Sequence, residues 1–392
     1  MIYADNAAAT RISEKVLRVM TKIMTQEYGN PSSPYKLGAS AKKIVETART
    51  EIAQALGAST SEIYFTSGGT ESDNWAIKGT AYAAGKRRKK HIISTQIEHH
   101  AVLRSLESLQ QHGFEITLLA PDKHGIIHPK QLTRAIRKNT GLVSVMYANN
   151  EIGTVQPIQE LAEICRRKNI PFHTDAVQAI GQIPVNVKDL SVDLLSVSGH
   201  KIHGPKGVGL LYIREGVAIE PLLNGGTQER RQRAGTENVA AIAGLAVAIR
   251  DAVAGLKRRT ASLAALQERF IKGLLTLEGS HIHGDRYCRL PGNVNVSFDN
   301  ASGESLVLML DKQGICCSTG SACTSGSLEP SHVLLALGLS TEQALGALRF
   351  TFSEENTKTE VDTIFKALQT ALKKLRGVPP SSECCCAGGC CS

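Results

Sequence analysis

Apolar positions return along this chain in two alternating rhythms. From Ser13 to Gln26, Val16, Val19, Met20 and Ile23 recur at helical spacing behind a serine cap. After the break Gly29-Asn30-Pro31-Ser32-Ser33-Pro34, a longer helix carries Leu37, Ala41, Ile44, Val45, Ala48, Ile52 and Leu56 on one face until Gly57. Short strand-like runs then interleave with helical ones: strand 62–66, a helix through Trp75 and Ile77, strand 92–96, helix 101–112, strands 114–119 and 142–148, helix 158–168, strand 171–174, and two more strands ending at Leu195 and Ile213. This alternation predicts an α/β fold whose mostly parallel sheet is covered by helices, with ligands at the carboxyl ends of the strands.

A long helical region from Val239 to about Leu277 follows, most polar over 257–260. Beyond it come strand 293–298, helix 304–312, a loop over 317–329, helix 330–336, strand 347–352 and helix 358–376. The expected organisation is a large domain over 13–257, a smaller α+β domain made of 1–12 and 258–376, and a flexible Cys-rich tail over 377–392.

Composition narrows the class of protein. At 392 residues, 42% apolar and 21% charged, the chain is ordinary for a globular protein with ample core. Its net charge of +9 is spread out, and the one basic run, Lys86-Arg87-Arg88-Lys89-Lys90, reads as a solvated connection. No direct nucleic-acid or membrane partner is expected: the first residues lack a signal peptide, and the apolar run Val239 to Ile249 is too short to span a bilayer. A cytoplasmic protein is the expectation. Of the ten cysteines, Cys165, Cys288, Cys316 and Cys317 lie in segments that read as regular, Cys323 stands alone in a Ser/Gly-rich loop, and five crowd the last nine residues.

The candidate chemistry collects at the strand ends. Ser67-Gly68-Gly69-Thr70 leads from a strand into a helix, an arrangement that offers backbone N–H groups and a positive dipole end to a phosphate. Glu98-His99-His100, Asn149-Asn150-Glu151, Asp175 to Gln178 and Ser198-Gly199-His200-Lys201 follow other strands. Any one of these serves equally as a turn or cap, and Lys201 alone reads equally as a surface lysine; their convergence on one edge points to a site. A lysine held between buried strands is costly to keep as a cation, which suits an amine that must attack a carbonyl cofactor.

Seven motifs in order, Thr66 to Ser72, Glu98 to Val102, Asn149 to Gly153, Thr174 to Gln178, Ser198 to Lys201, Arg233 to Asn238 and Ser318 to Cys323, resemble the cysteine desulfurases of the NifS/IscS type over nearly the full length. These are class V aminotransferase-like enzymes of pyridoxal-phosphate fold type I. The resemblance implies that Lys201 binds the cofactor covalently and moves the substrate Cα proton, with His99 stacked on the ring and also counted among the catalytic residues. Asp175 would pair with the pyridinium nitrogen and Gln178 with the phenolic oxygen. Gly69, Thr70, Ser198 and His200 would hold the phosphate, with Thr236 reaching it from the other subunit of a homodimer. Asn150 would touch cofactor and substrate, and Arg349 would grip the carboxylate of L-cysteine. The thiolate of Cys323 would take the substrate sulfur, leaving alanine and a persulfide for a sulfur-acceptor protein such as an iron–sulfur scaffold. Two positions depart from the family pattern: Ala9 stands where threonine is expected and Tyr35 where histidine is.

The tail cysteines Cys384, Cys385, Cys386, Cys390 and Cys391 lie outside that pattern. Their density suits a soft metal ion or an iron–sulfur species, of which Cys323 is a further candidate ligand, or a sulfur relay; it is equally the composition of a disordered appendage. The rival readings are a selenocysteine lyase or other class V enzyme, and a sulfur-assembly scaffold with a metal-binding tail.

Overall fold

The start and stop signals of the first helices act where the pattern puts them. In the computed structural model, which describes residues 1–319 and 329–377, the Ser13 hydroxyl accepts a hydrogen bond from Val16 N and opens helix Glu14–Gln26. Gly57, at φ 72°, closes helix Lys36–Leu56 in a left-handed turn that a Cβ would disfavour. Both helices pack on Val239–Ala254, an Ala-rich helix buried along most of its length. Small residues set the approach: a Cβ added to Gly244 would stand 3.0 Å from Met20.

Seven strands form the central sheet, in the order Ile63–Thr66, Gly209–Ile213, Leu194–Ser198, Phe172–Asp175, Thr140–Ser144, His91–Thr95, Glu115–Leu119. Six share one direction, and Gly209–Ile213 opposes both of its neighbours. The central strands are buried throughout because helices cover both faces. A second, antiparallel sheet has the order Ser318–Thr319, Ala347–Thr351, Asn293–Phe298, Ser280–His283. Helices Leu256–Leu274 and Lys358–Arg376 share its apolar core, in which Phe270 meets Phe350 and Phe352 edge-on at 5.0 and 5.5 Å.

The first ten residues join the two sheets. Ile2–Tyr3 pairs with Ile315–Cys316. Residues 4–10 then run on as a strap: Thr351 N donates to Ala4 O at 2.7 Å, Asn6 N to Thr351 O at 3.3 Å, and the Thr10 hydroxyl to His200 O at 2.9 Å.

Four features differ from the pattern's expectations. The long helical region is two helices bent by 71° between Val239–Ala254 and Leu256–Leu274, and the polar stretch 257–260 lies inside the second rather than at the break. The strand expected over 142–148 is Thr140–Ser144, although Val145 N and Tyr147 N go on donating to His173 O and Asp175 O of the neighbouring strand. Cys288 lies exposed in a bend instead of in a regular buried segment. Helix Pro129–Ala135 and strand Ser280–His283 carry no strong period, since each is short and only partly buried. Among the described residues no single helix is long and apolar enough to cross a membrane; the bent pair meets that test only by combined length and composition.

Candidate active site

At the carboxyl edge of the large sheet the turns after five strands close on a cavity of ≈ 490 Å³. Its walls include Gly69 and Thr70 after Ile63–Thr66, His99 after His91–Thr95, Asn150 after Thr140–Ser144, Asp175 and Gln178 at the end of Phe172–Asp175, and Ser198, His200 and Lys201 at the end of Leu194–Ser198, with Arg349 completing them. Ala7, Ala8 and Ala9 of the strap form its remaining side.

The phosphate-type cradle is made by close approach of backbone. Helical turns begin at Gly69 and run on through the wider turn Trp75–Gly79 into Thr80–Gly85, so their dipole points at the cavity. A Cβ on Gly69 would stand 2.8 Å from the Val177 side chain, and one on Gly209 would stand 2.7 Å from Gly68 Cα. Glu71 fixes the turn: it accepts Ser67 N at 2.8 Å and pairs with Arg233 at 2.8 and 3.1 Å.

Lys201 Nζ donates to Ala7 O at 2.6 Å and Ala8 O at 2.8 Å, and Gln178 Nε2 donates to Ala7 O at 3.0 Å. Asp175 ends its strand fully buried. Burial pushes its carboxyl up to about 6, while Val177 N, 2.9 Å away, and the charge of Lys201 pull it back. Burial, with the charges of Lys201 and His100, pushes His99 down to about 4, so it is neutral. Its Nδ1 accepts from Ala101 N at 3.1 Å, which leaves the ring proton on Nε2. Burial also takes His200 down to about 4, and its carbonyl anchors the strap.

Arg349 comes from the second sheet and is 1% exposed. Its Nη2 lies 2.7 Å from Asp5 Oδ1 and its Nη1 donates to Asn150 O at 3.2 Å. Thr236 is exposed and does not reach this cavity in its own chain. Of the two departures, Ala9 lines the cavity, where it presents only a methyl group, and its carbonyl accepts the Tyr3 hydroxyl at 2.7 Å, whereas Tyr35 is exposed.

The aminotransferase class-V family model matches residues 2–364. The chain belongs to the class-V aminotransferase family. Among the curated members, a cysteine desulfurase IscS of Methanosarcina thermophila is 51% identical over 97% of this chain and 94% of its own, and one of Dictyoglomus turgidum is 48% identical over 97% of each. Among solved class-V structures, a NifS-like protein superposes with TM-score 0.90 at 41% identity, covering 95% of this chain and 99% of its own. Another, SspA in complex with cysteine, gives 0.80 at 36% identity over 91% and 100%.

The class-V family implies pyridoxal 5′-phosphate, and the residues present fit it. The glycine cradle at a helix start suits a phosphate, the buried carboxyl of Asp175 suits a protonated ring nitrogen, and the Lys201 amine suits the aldehyde. No cysteine among the described residues lines the cavity; Cys317, the nearest in sequence to the loop, is buried and its thiol is pushed up to about 12 by that burial. Among the described residues there is also no group of three metal-ligating side chains. Cys323 and the tail cysteines 384, 385, 386, 390 and 391 lie outside the described residues.

Three contributors went unread in the sequence. Asp73, wholly buried, lines the cavity and is held well above the ordinary carboxyl range by burial, the charge of Asp175 adding to it. The Glu71–Arg233 pair joins two motifs 162 positions apart. Asp5 stood in the sequence only as part of the N-terminal Tyr3-Ala4-Asp5 motif, with no role assigned to it.

Proposed function

We propose that this class-V protein is a pyridoxal-phosphate-dependent cysteine desulfurase that converts L-cysteine to L-alanine and leaves the sulfur as a persulfide on Cys323. The observation that carries the reading is the meeting of an amine, a buried carboxyl and a buried guanidinium, Lys201, Asp175 and Arg349, in one cavity. The desulfurase relatives, matched over 97% of the chain, support it.

The cofactor, when bound, supplies an electron sink for the substrate Cα. Arg349 takes the α-carboxylate in its planar fork, with Asn150 beside it. Lys201 Nζ moves the Cα proton, and Asp175 keeps a positive charge on the ring nitrogen favourable. Gly69, Thr70, Ser198 and His200 hold the phosphate, Gln178 faces the phenolic oxygen, and the neutral ring of His99 covers the face of the site. The Cys323 thiolate attacks the substrate sulfur, so an S–S bond forms as the C–S bond breaks; cysteine plus thiol becomes alanine plus persulfide, with no external oxidant. A sulfur-acceptor protein, such as an iron–sulfur scaffold, then takes the sulfur.

The same reading makes the protein a homodimer in which the exposed Thr236 serves the partner's phosphate site. It divides the chain into the large unit 13–257 and the small unit 1–12 with 258–376, in keeping with the 71° bend beside that border. It assigns the tail over 377–392, with Cys323 as a further ligand, to a soft metal or iron–sulfur species; a chain cut after residue 377 that keeps its metal content and sulfur transfer would sink that assignment.

The deciding experiment is the visible spectrum of the purified protein before and after L-cysteine, with alanine and sulfide measured in the presence of a reductant. A cofactor band that shifts, both products formed, and loss of band and products in Lys201→Ala are expected. Cys323→Ala is expected to stop sulfide and alanine formation while keeping the band; continued alanine release would point to a lyase that needs no protein thiol.

A further inference from the structure

The strap places a carboxylate where the carboxylate of a substrate is due. Asp5 Oδ1 sits 2.7 Å from Arg349 Nη2, and Asp5 Oδ2 accepts the Ser318 hydroxyl at 2.8 Å. The other arm of the guanidinium, Nη1, donates to Asn150 O at 3.2 Å, and the buried Nε has no hydrogen-bond partner among the described residues. Each outer nitrogen therefore already spends one N–H on a partner, and the partner of Nη2 is an anion, so a substrate carboxylate meets a guanidinium whose charge is already matched. The neighbouring backbone repeats the arrangement at the amine, where Ala7 O and Ala8 O accept from Lys201 Nζ. One short stretch, Asp5 to Ala8, thus supplies partners to the two side chains that the proposed reaction gives to the substrate and its cofactor.

We infer that Asp5 is a specificity-determining residue that stands in for the substrate α-carboxylate on Arg349 and gives way when an amino acid binds. The inference rests on the reading of Arg349 as the seat of that carboxylate. Two carboxylates on one buried guanidinium leave a negative charge without compensation, so the second anion gains by displacing the first and not by joining it. The exchange sets affinity for carboxylate-bearing ligands alone. An amino acid amide, which brings no anion to Arg349, has nothing to exchange.

The test is isothermal titration calorimetry of L-alanine and of L-alaninamide into the cofactor-loaded protein. Asp5→Asn keeps the shape and removes the charge; it is expected to tighten L-alanine by about three- to tenfold and to leave L-alaninamide unchanged. Ser318→Ala, which removes only the hydroxyl that holds Asp5, is expected to move L-alanine in the same direction by less, and stands in should Asp5→Asn not fold. Arg349→Lys is the control. If it leaves L-alanine affinity unchanged, the reading of Arg349 itself fails. If it weakens L-alanine tenfold or more while Asp5→Asn leaves it unchanged or weaker, or tightens both ligands alike, the stand-in role of Asp5 is overturned and Asp5 only orients the arginine.

Discussion

Carboxyl groups cut off from water hold their protons more tightly than free ones, and Asp73 and Asp175 in the cavity wall and Glu98 close to Asp175 all do so. Glu98 is fully buried; its Oε1 accepts the Thr95 hydroxyl at 2.8 Å and Met146 N at 3.0 Å, and burial still pushes it up to about 8. The unfolded chain ionises the same group above about 4.5, so between these values the folded state binds the proton more tightly. Glu98 therefore costs stability progressively as pH rises from about 4.5 to about 8, and no more above that. Glu98→Gln is expected to flatten the fall in melting temperature over that window, a difference of a few kcal/mol at pH 8; a parallel pH profile in the two proteins would refute it. Lys201, His99, Asp175 and Asn150 could be brought to one edge from the sequence because each follows an apolar strand and several such turns converge there, although any one alone would serve as a cap. The pairing of Asp5 with Arg349 was not, since 344 positions separate them and only the fold sets the two side chains face to face.

At the scale of elements, the cradle depends on two chain segments touching without side chains between them. Strand Gly209–Ile213 begins directly against Gly68, and the Arg233–Glu71–Ser67 chain of contacts fixes the turn from the other side. Gly209→Ala is expected to push this turn outward, weakening cofactor binding by about tenfold or more and costing about 1–3 kcal/mol of stability. Spectrophotometric titration of the cofactor-free protein checks it, and unchanged affinity would show that the cradle tolerates the shift. The strand-to-helix turn and the long helices were readable from period and caps. The 71° bend was not read, since apolar residues at helical spacing run on across Gly255; of the polar stretch beyond it, Lys257 and Arg258 are exposed while Arg259 folds back onto Gly181 O and Ala252 O.

Over the whole molecule, the strap ties the beginning of the chain to its late segments and to its middle. Ala4 and Asn6 bond Thr351, Asp5 meets Arg349, and Thr10 bonds His200. Sequence pattern marked both the α/β unit and the α+β unit, yet it had no way to show what covers the cavity, because the strap has no period of its own and takes its conformation from residues hundreds of positions away. Synthesis and assembly therefore run in opposite orders here. The strap leaves the ribosome long before it can reach its place, since Arg349 and Thr351 must be made before Asp5 and Ala4 have anything to hold. A nascent chain that already contains Lys201 and Asp175 still lacks the strap's seat and the carboxylate's arginine, so the site is completed only after Arg349 and Thr351 have been made.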